Sequence, residues 1–169
     1  MGLVQVNTTT ITSDNKTSSL TLTGINTDDV YLFAFNNMNV EADVTLGLRF
    51  TISGSPFALA NYNFARKQIN AGSSFSTVAG ASQTFINMQV VTDTTCYGNG
   101  MFYLYGFNNN SEYSYCSFET ALANTGYSDS TGSTGGAVLS SAGAADGINL
   151  VTAAGYEINS GTYTLYKVT

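Results

Sequence analysis

The chain has 169 residues, of which 43% are hydrophobic and 9% are charged, and its formal net charge is −6. Globular proteins usually carry about a quarter of charged residues, so Thr, Ser and Asn must supply most of the polar surface here. Five Lys and Arg residues cannot neutralise many phosphates, and we expect no nucleic-acid partner. The longest apolar run, residues 30–35, is far shorter than the roughly twenty residues of a membrane-spanning helix, so we expect no membrane partner.

The balance of residue types is typical of β-structure. Thr favours strands, 11 Tyr and 10 Phe pack well on a pleated surface, and 17 Gly can supply turns. A disordered chain of this polarity would be poor in aromatic and β-branched residues, which excludes disorder. We expect one domain that spans residues 1–169.

Alternating polar and apolar residues between turn signals predict about ten strands. In chain order these cover residues 3–11, 18–23, 29–36, 44–52, 84–91, 100–107, 112–122, 136–140, 147–152 and 162–168. Many short strands with glycine-rich turns predict an all-β fold, an antiparallel β-sandwich of jelly-roll type. The apolar sides of the clearest strands predict six core side chains, Phe33, Phe35, Leu46, Leu48, Leu104 and Leu165.

The remaining segments carry weaker signals. In residues 44–52 every second residue is apolar, so we expect Thr45, Arg49 and Thr51 to face out. Residues 117–123 are compatible with one turn of helix. The stretch that follows Pro56 and contains Tyr62, Arg66 and Lys67 is interpreted as loop, and residues 124–136, rich in Asn, Thr, Gly and Ser, are predicted to be a surface loop.

The sequence offers little catalytic chemistry. It contains no histidine, so neither a Ser-His-Asp nor a Cys-His arrangement can form. A carboxylate pair for glycoside hydrolysis is the alternative, but the adjacent Asp28 and Asp29 would point to opposite sides of an extended chain. Cys96 and Cys116 are too few for a zinc site, and in a cytoplasm we expect them to be reduced thiols. We expect neither enzymatic activity nor a cofactor.

One segment resembles a metal site in its composition. Asn37, Asn39, Glu41 and Asp43 alternate along the chain, so an extended backbone would place four oxygen-bearing side chains on one side, as a weak calcium site requires. We favour the alternative, in which these residues cap the turn between two strands, because such turns are common.

Several large or charged residues are predicted to lie at the surface. They are candidate contacts to another subunit or to a glycan, and they comprise Tyr62, Arg66, Lys67, Tyr97, Tyr113 and Tyr127. Tyrosine stacks on sugar rings and also packs well at protein interfaces, where its hydroxyl bonds at the rim. We favour contact with a neighbouring subunit.

Several segments, taken in their order along the chain, resemble a known family. They are residues 3–6 with 10–13, DVYLFAFNN at 29–37, ANYNFARK at 60–67, FYLYGFNN at 102–109, residues 111–114 and INSGTYTLY at 158–166. Together they resemble small structural virion proteins of tailed bacteriophages, especially phages of marine bacteria and cyanobacteria. Lys167 departs from the family, in which many members carry Gly after the final Tyr.

The resemblance implies a virion component of β-sandwich type, made in the host cytoplasm. We expect a capsid decoration or cement protein that stabilises the outer shell by packing. The expected partners are further copies of the chain, in a trimer, and the major capsid protein or tail proteins of the same phage. The alternative is a tail-fibre or tail-tip module that binds host-surface glycan, although the sequence contains no repeat or coiled-coil shaft.

Overall fold

The computed structural model describes residues 2–41, 44–72, 74–91, 95–123 and 130–169. Within these ranges the chain forms thirteen β-strands and one 3-10 turn, Ala153–Gly155, and no α-helix. None of the described segments is a helix of the length and apolarity that crossing a membrane requires. The prediction of an all-β fold is confirmed.

The strands are short and follow one another closely along the chain. In order they are β1 (Leu3–Ile11), β2 (Ser19–Thr23), β3 (Tyr31–Val40), β4 (Val44–Ile52), β5 (Ser55–Pro56), β6 (Tyr62–Asn70), β7 (Phe75–Gln83), β8 (Ile86–Val91), β9 (Tyr97–Tyr105), β10 (Ser114–Ala123), β11 (Ser130–Leu139), β12 (Ala145–Thr152) and β13 (Ile158–Val168).

Two antiparallel sheets of unequal width form the fold. The wide sheet has eight strands in the order β1-β13-β3-β9-β10-β11-β6-β7. The narrow sheet has the order β2-β12-β4-β5, and β8 also pairs with β4. Buried residues of both sheets belong to one apolar core, so the chain is a β-sandwich, as predicted. The jelly-roll connectivity stays a prediction.

Aromatic side chains of the wide sheet form the centre of the core. Phe33, Phe102 and Phe118 lie directly opposite one another on β3, β9 and β10. Their ring centroids are 5.8 Å and 5.0 Å apart. The core prediction is confirmed, because all six side chains are at most 2% exposed: Phe33, Phe35, Leu46, Leu48, Leu104 and Leu165.

Strand β6 occupies the stretch after Pro56 that the sequence predicts to be loop, and that prediction is wrong, while β7 lies in a segment for which the sequence predicts no strand. On its buried side β6 places Arg66 after Tyr62 and Phe64, so a charged residue interrupts the apolar alternation. β7 lies at the edge of the sheet with most of its residues exposed, and no alternation marks it. Pairing with neighbouring strands, more than local pattern, determines these two strands.

The loop predicted at residues 124–136 is wrong from Ser130 onwards, where β11 begins. Gly135 is required there, since a Cβ atom would come within 2.5 Å of the Ala65 carbonyl oxygen and 2.8 Å of the Phe118 ring. Residues 124–129 lie outside the described residues. The helical turn at residues 117–123 is also wrong, because β10 alternates buried and exposed residues.

Thr51 is fully buried, contrary to the prediction that it faces out. Its hydroxyl donates to Asp146 Oδ1 over 2.5 Å, and Asp146 Oδ2 accepts a hydrogen bond of 2.7 Å from the Gly54 backbone. This carboxylate therefore covers Thr51 and holds the turn between β4 and β5. Thr45 and Arg49 are half-buried.

The two cysteines are buried and do not form a disulfide, as predicted. Cys116 lies on β10 and Cys96 just before β9, and they are 4% and 3% exposed. Burial raises the pKa of the Cys116 thiol to about 12, so this group stays protonated and unreactive at neutral pH.

Candidate functional site

Tyr62 was predicted to be an exposed contact residue, and this is wrong because its side chain is fully buried. The hydroxyl accepts a hydrogen bond of 2.9 Å from the Phe50 backbone N–H and donates one of 2.8 Å to the Phe57 carbonyl. Burial raises the pKa of Tyr62 to about 12. The residue joins the edge of the narrow sheet to β6 and is a structural group.

Arg66 is likewise buried, only 3% exposed, and its prediction as a surface contact is wrong. Its Nη1 atom donates to Gln68 Oε1 over 2.6 Å and to Ser133 Oγ over 3.0 Å, and Nη2 lies 3.4 Å from Asn87 Oδ1. Its Nε atom has no partner. Among the described residues the guanidinium forms no ion pair. Burial therefore lowers the pKa of this arginine.

The other predicted contact residues are separated from one another. Lys67 and Tyr97 are exposed on the outward side of the wide sheet, on β6 and β9. Tyr113 is exposed in the turn before β10, where it lines a groove with Tyr115. Tyr127 lies outside the described residues. The Lys67 ammonium lies 5.0 Å from the centre of the Phe75 ring, a cation–π contact.

The described members of the candidate calcium site form hydrogen bonds with other parts of the protein. Asn37 adopts φ 56°, and its backbone N–H donates to Asn99 Oδ1 over 3.0 Å. Asn39 donates to the Cys96 carbonyl over 2.8 Å, and Glu41 accepts from the Glu157 backbone. Asp43 lies outside the described residues. In the described part of the chain, this segment included, no three His, Cys, Asp or Glu side chains form a metal-binding cluster.

A broad apolar surface covers the outward side of β9, β10, β11, β6 and β7, and we call this surface the tyrosine face. Eleven large hydrophobic side chains are exposed in the described part of the chain. Six of them lie on the tyrosine face: Ile69, Phe75, Tyr97, Met101, Tyr105 and Tyr115. Arg66 points to the core, so among the described residues Lys67 and Glu119 are the only charged side chains on this face.

The outward side of the narrow sheet has a different character. There the Asn149 amide donates to Ser19 Oγ over 2.7 Å and to Thr21 Oγ1 over 3.0 Å. The Arg49 Nε donates to the Thr84 carbonyl over 3.0 Å. Polar groups on that side bond mainly to one another, whereas the tyrosine face exposes aromatic rings. Exposed apolar patches of this kind are typical of interaction surfaces and ligand-binding grooves.

A shallow cavity of about 490 Å³ lies on the tyrosine face above β11. Tyr105 and Tyr115 line it on one side, Asn63 and Ala65 on the other, and Gly136 forms the floor between them. A Cβ atom on Gly136 would approach only the Cys116 carbonyl oxygen, at 3.4 Å, so the space above this glycine is open. The volume is in the range of small-molecule sites.

Sequence reasoning missed most of this face. Met101, Tyr103 and Tyr105 alternate with buried Phe102 and Leu104 on β9, and this alternation was the signal available for their outward position. The sequence favours tyrosines in turns as contact residues, because turns and loops often carry functional residues. Here the flat side of a sheet exposes them instead.

Comparison with known proteins finds no protein-family model and no curated protein that matches this chain. The likeness to phage virion proteins therefore stays a prediction.

Replacing Tyr62 with Phe tests the structural role of the hydroxyl. The buried Phe50 N–H loses its acceptor, so we expect the free energy of unfolding to fall by about 1–3 kcal/mol. The pKa in the fold, about 12, exceeds the ordinary 10.0. The stability that Tyr62 contributes is complete below pH 10 and is lost as pH rises towards 12, so Tyr62→Phe should lose stability less steeply over that window.

Urea unfolding at pH 7 to 12 measures both effects, and Tyr156→Phe, at an exposed position of the same residue type outside the tyrosine face, is the control. A variant with wild-type stability at pH 7 would show that the two hydrogen bonds of Tyr62 contribute nothing.

Replacing Arg66 separates the packing of its side chain from its charge. Arg66→Met keeps most of the volume and removes an unpaired buried charge, so its free energy of unfolding should stay within about 1 kcal/mol of wild type or rise. Arg66→Ala leaves a cavity and should cost about 2–4 kcal/mol. Lys16→Met, which removes an exposed positive charge outside the tyrosine face, is the control. If Arg66→Met lowers the free energy of unfolding by more than about 3 kcal/mol, the hydrogen bonds of the guanidinium outweigh the cost of burying its charge.

Proposed function

We propose that this chain is a structural protein of a tailed-bacteriophage particle, most specifically a capsid decoration or cement protein. In this role it stabilises the outer shell by adding buried area between proteins. The observation that carries the proposal is the tyrosine face, where large hydrophobic side chains are exposed together with only two charged residues.

The composition of this face supports a protein interface. The buried centre of protein interfaces is depleted of charge and enriched in Tyr, Phe and Met. Tyr103, Tyr105 and Tyr115 lie together with Met101 on two neighbouring strands of the tyrosine face. Tyrosine provides a large contact area with only two rotatable bonds, so little entropy is lost when it is immobilised.

The proposal includes self-association, for which the sequence leads us to expect a trimer, and contact with the major capsid protein or tail proteins. The edge strand β7 supports the need for partners, since its nine residues include no charged residue and no proline that would block strand pairing.

A jelly-roll connectivity, common in viral capsid proteins, also belongs to the proposal. We propose a role without catalysis, since the sequence offers no histidine.

A second candidate function is glycan binding by a module of the tail. The cavity between Tyr105 and Ala65 favours it, because a sugar ring could stack on the tyrosines while Asn63 and Ser117 offer hydrogen bonds. No charged side chain in the described part of the chain lines this cavity, so the ligand would be a neutral saccharide. We rank this function second, because the cavity occupies only part of the exposed apolar surface.

Quantitative mass spectrometry of purified particles of the encoding phage tests the proposal. A decoration protein should be present in hundreds of copies per particle, and electron microscopy with the chain labelled should place it on the shell. About a dozen copies at the tail would favour the glycan-binding module. Absence of the chain from density-purified particles would contradict both.

A further inference from the structure

We propose that the tyrosine face binds the tyrosine face of a second copy of this chain, with a two-fold axis along β11. This inference deepens the proposed function. It rests on the proposed function in one respect, namely that the tyrosine face is a protein interface. In a two-fold contact each residue pair occurs twice, because the same surface is used by both copies. An axis along β11 sets β10 over β6 of the second copy, and β9 over its β7.

The two charges on the face are arranged for such a contact. Lys67, Thr134 and Glu119 lie side by side on β6, β11 and β10. Since neighbouring strands are about 4.8 Å apart, Lys67 and Glu119 are equally far from β11 on opposite sides. The axis therefore places each Lys67 over the Glu119 of the other copy. Within the described part of its own chain, neither residue has an ion-pair partner.

The sizes of the side chains are complementary about the same axis. In the row through Gly136, Tyr103 on β9 is set over Ala79 on β7 of the second copy. In the row through Gly132, Ile69 on β6 is set over Ala121 on β10. In these two pairs a bulky residue meets a small one across the axis, and Phe75 in the second row is set over the medium-sized Asn99.

Two pairs in the remaining rows follow the same pattern. Met101 is set over Thr77, in the row of the two charges, and Tyr115 over Asn63. Asn63 lines the cavity of about 490 Å³, so this cavity has room for the Tyr115 ring of the second copy. Large side chains that meet small ones can interdigitate as in the core between two sheets.

The centre and the extent of the face also fit a dimer. Gly132 and Gly136 point outward from β11, and a Cβ atom on either would meet only a backbone carbonyl oxygen, at 3.7 Å and 3.4 Å. The outward side chains between and beside them, Thr134 and Val138, are small or medium-sized and meet their own copies, so the separation of the two β11 strands is set by these two residues. Five strands about 4.8 Å apart, mostly of nine residues at about 3.3 Å each, cover about 700 Å². A stable interface buries about 800 Å² on each partner.

This contact differs from the trimer expected from the sequence. A three-fold contact joins two different surfaces of neighbouring subunits. Three-fold symmetry therefore would not form the reciprocal contacts in which Lys67 of each copy lies over Glu119 of the other. The tyrosine face therefore predicts a dimer, and a trimer would have to use another surface.

Sedimentation equilibrium of the purified full chain tests the two-fold contact by charge exchange. The wild type should dimerise at micromolar concentration. Lys67→Glu sets like charges over each other at both pairs, and so does Glu119→Lys, so each variant alone should dimerise at least about tenfold more weakly. The double variant Lys67→Glu with Glu119→Lys restores opposite charges and should return the affinity to within about threefold of wild type. An equimolar mixture of the two single variants should form a heterodimer.

Lys16→Glu and Asp14→Lys make the same charge changes at exposed positions after β1, at the opposite edge of the wide sheet, and should leave dimerisation unchanged. Thermal unfolding of each variant verifies its fold. A wild type that stays monomeric, a trimer insensitive to both single variants, or a double variant that stays as weak as the single ones would overturn the two-fold contact. A monomeric chain that is abundant in particles would overturn this contact alone, whereas a dimer absent from particles would overturn only the proposed virion role.

Discussion

The contact between phenylalanines on the inner side of the wide sheet fixes the register on which its surface depends. Phe33, Phe102 and Phe118 are directly opposite on three adjacent strands, and Gly135 on the next strand leaves room for the Phe118 ring. A slip of one residue would turn these rings to solvent and is therefore strongly disfavoured. The same register turns Met101, Tyr103 and Tyr115 outward, so the core determines which rings the protein exposes.

The sequence predicts those parts of the fold in which one side of a strand is uniformly apolar. The all-β class, the six core side chains and most strands of the sheet centre are of this kind. It does not predict β6, β7 and the first half of β11, because there the strand is held by its neighbours: Arg66 occupies a buried position, β7 is an exposed edge, and Gly135 is needed for close packing. For this reason local composition predicts loop where β6 and the first half of β11 lie.

The candidate site was predicted less well than the fold, for a related reason. Tyr62 and Arg66 were assigned to the surface because they were assigned to a loop, and their pairing in β6 buries both. Lys67 and Tyr97 do lie on the tyrosine face, but the rule that loops carry function could not locate Tyr103 or Tyr115. Only the order of the strands brings Lys67 and Glu119, far apart in sequence, to either side of Thr134.

The central claim is that protein covers the tyrosine face in the assembled state. Hydroxyl-radical oxidation of Met101 tests it most directly, because this side chain is 41% exposed, while Met38 and Met88 are buried and provide internal references. The account predicts that oxidation of Met101 is at least about fivefold slower in purified particles than in the dilute, dissociated chain, and that the two reference methionines change little. Equal oxidation of Met101 in both samples would contradict it.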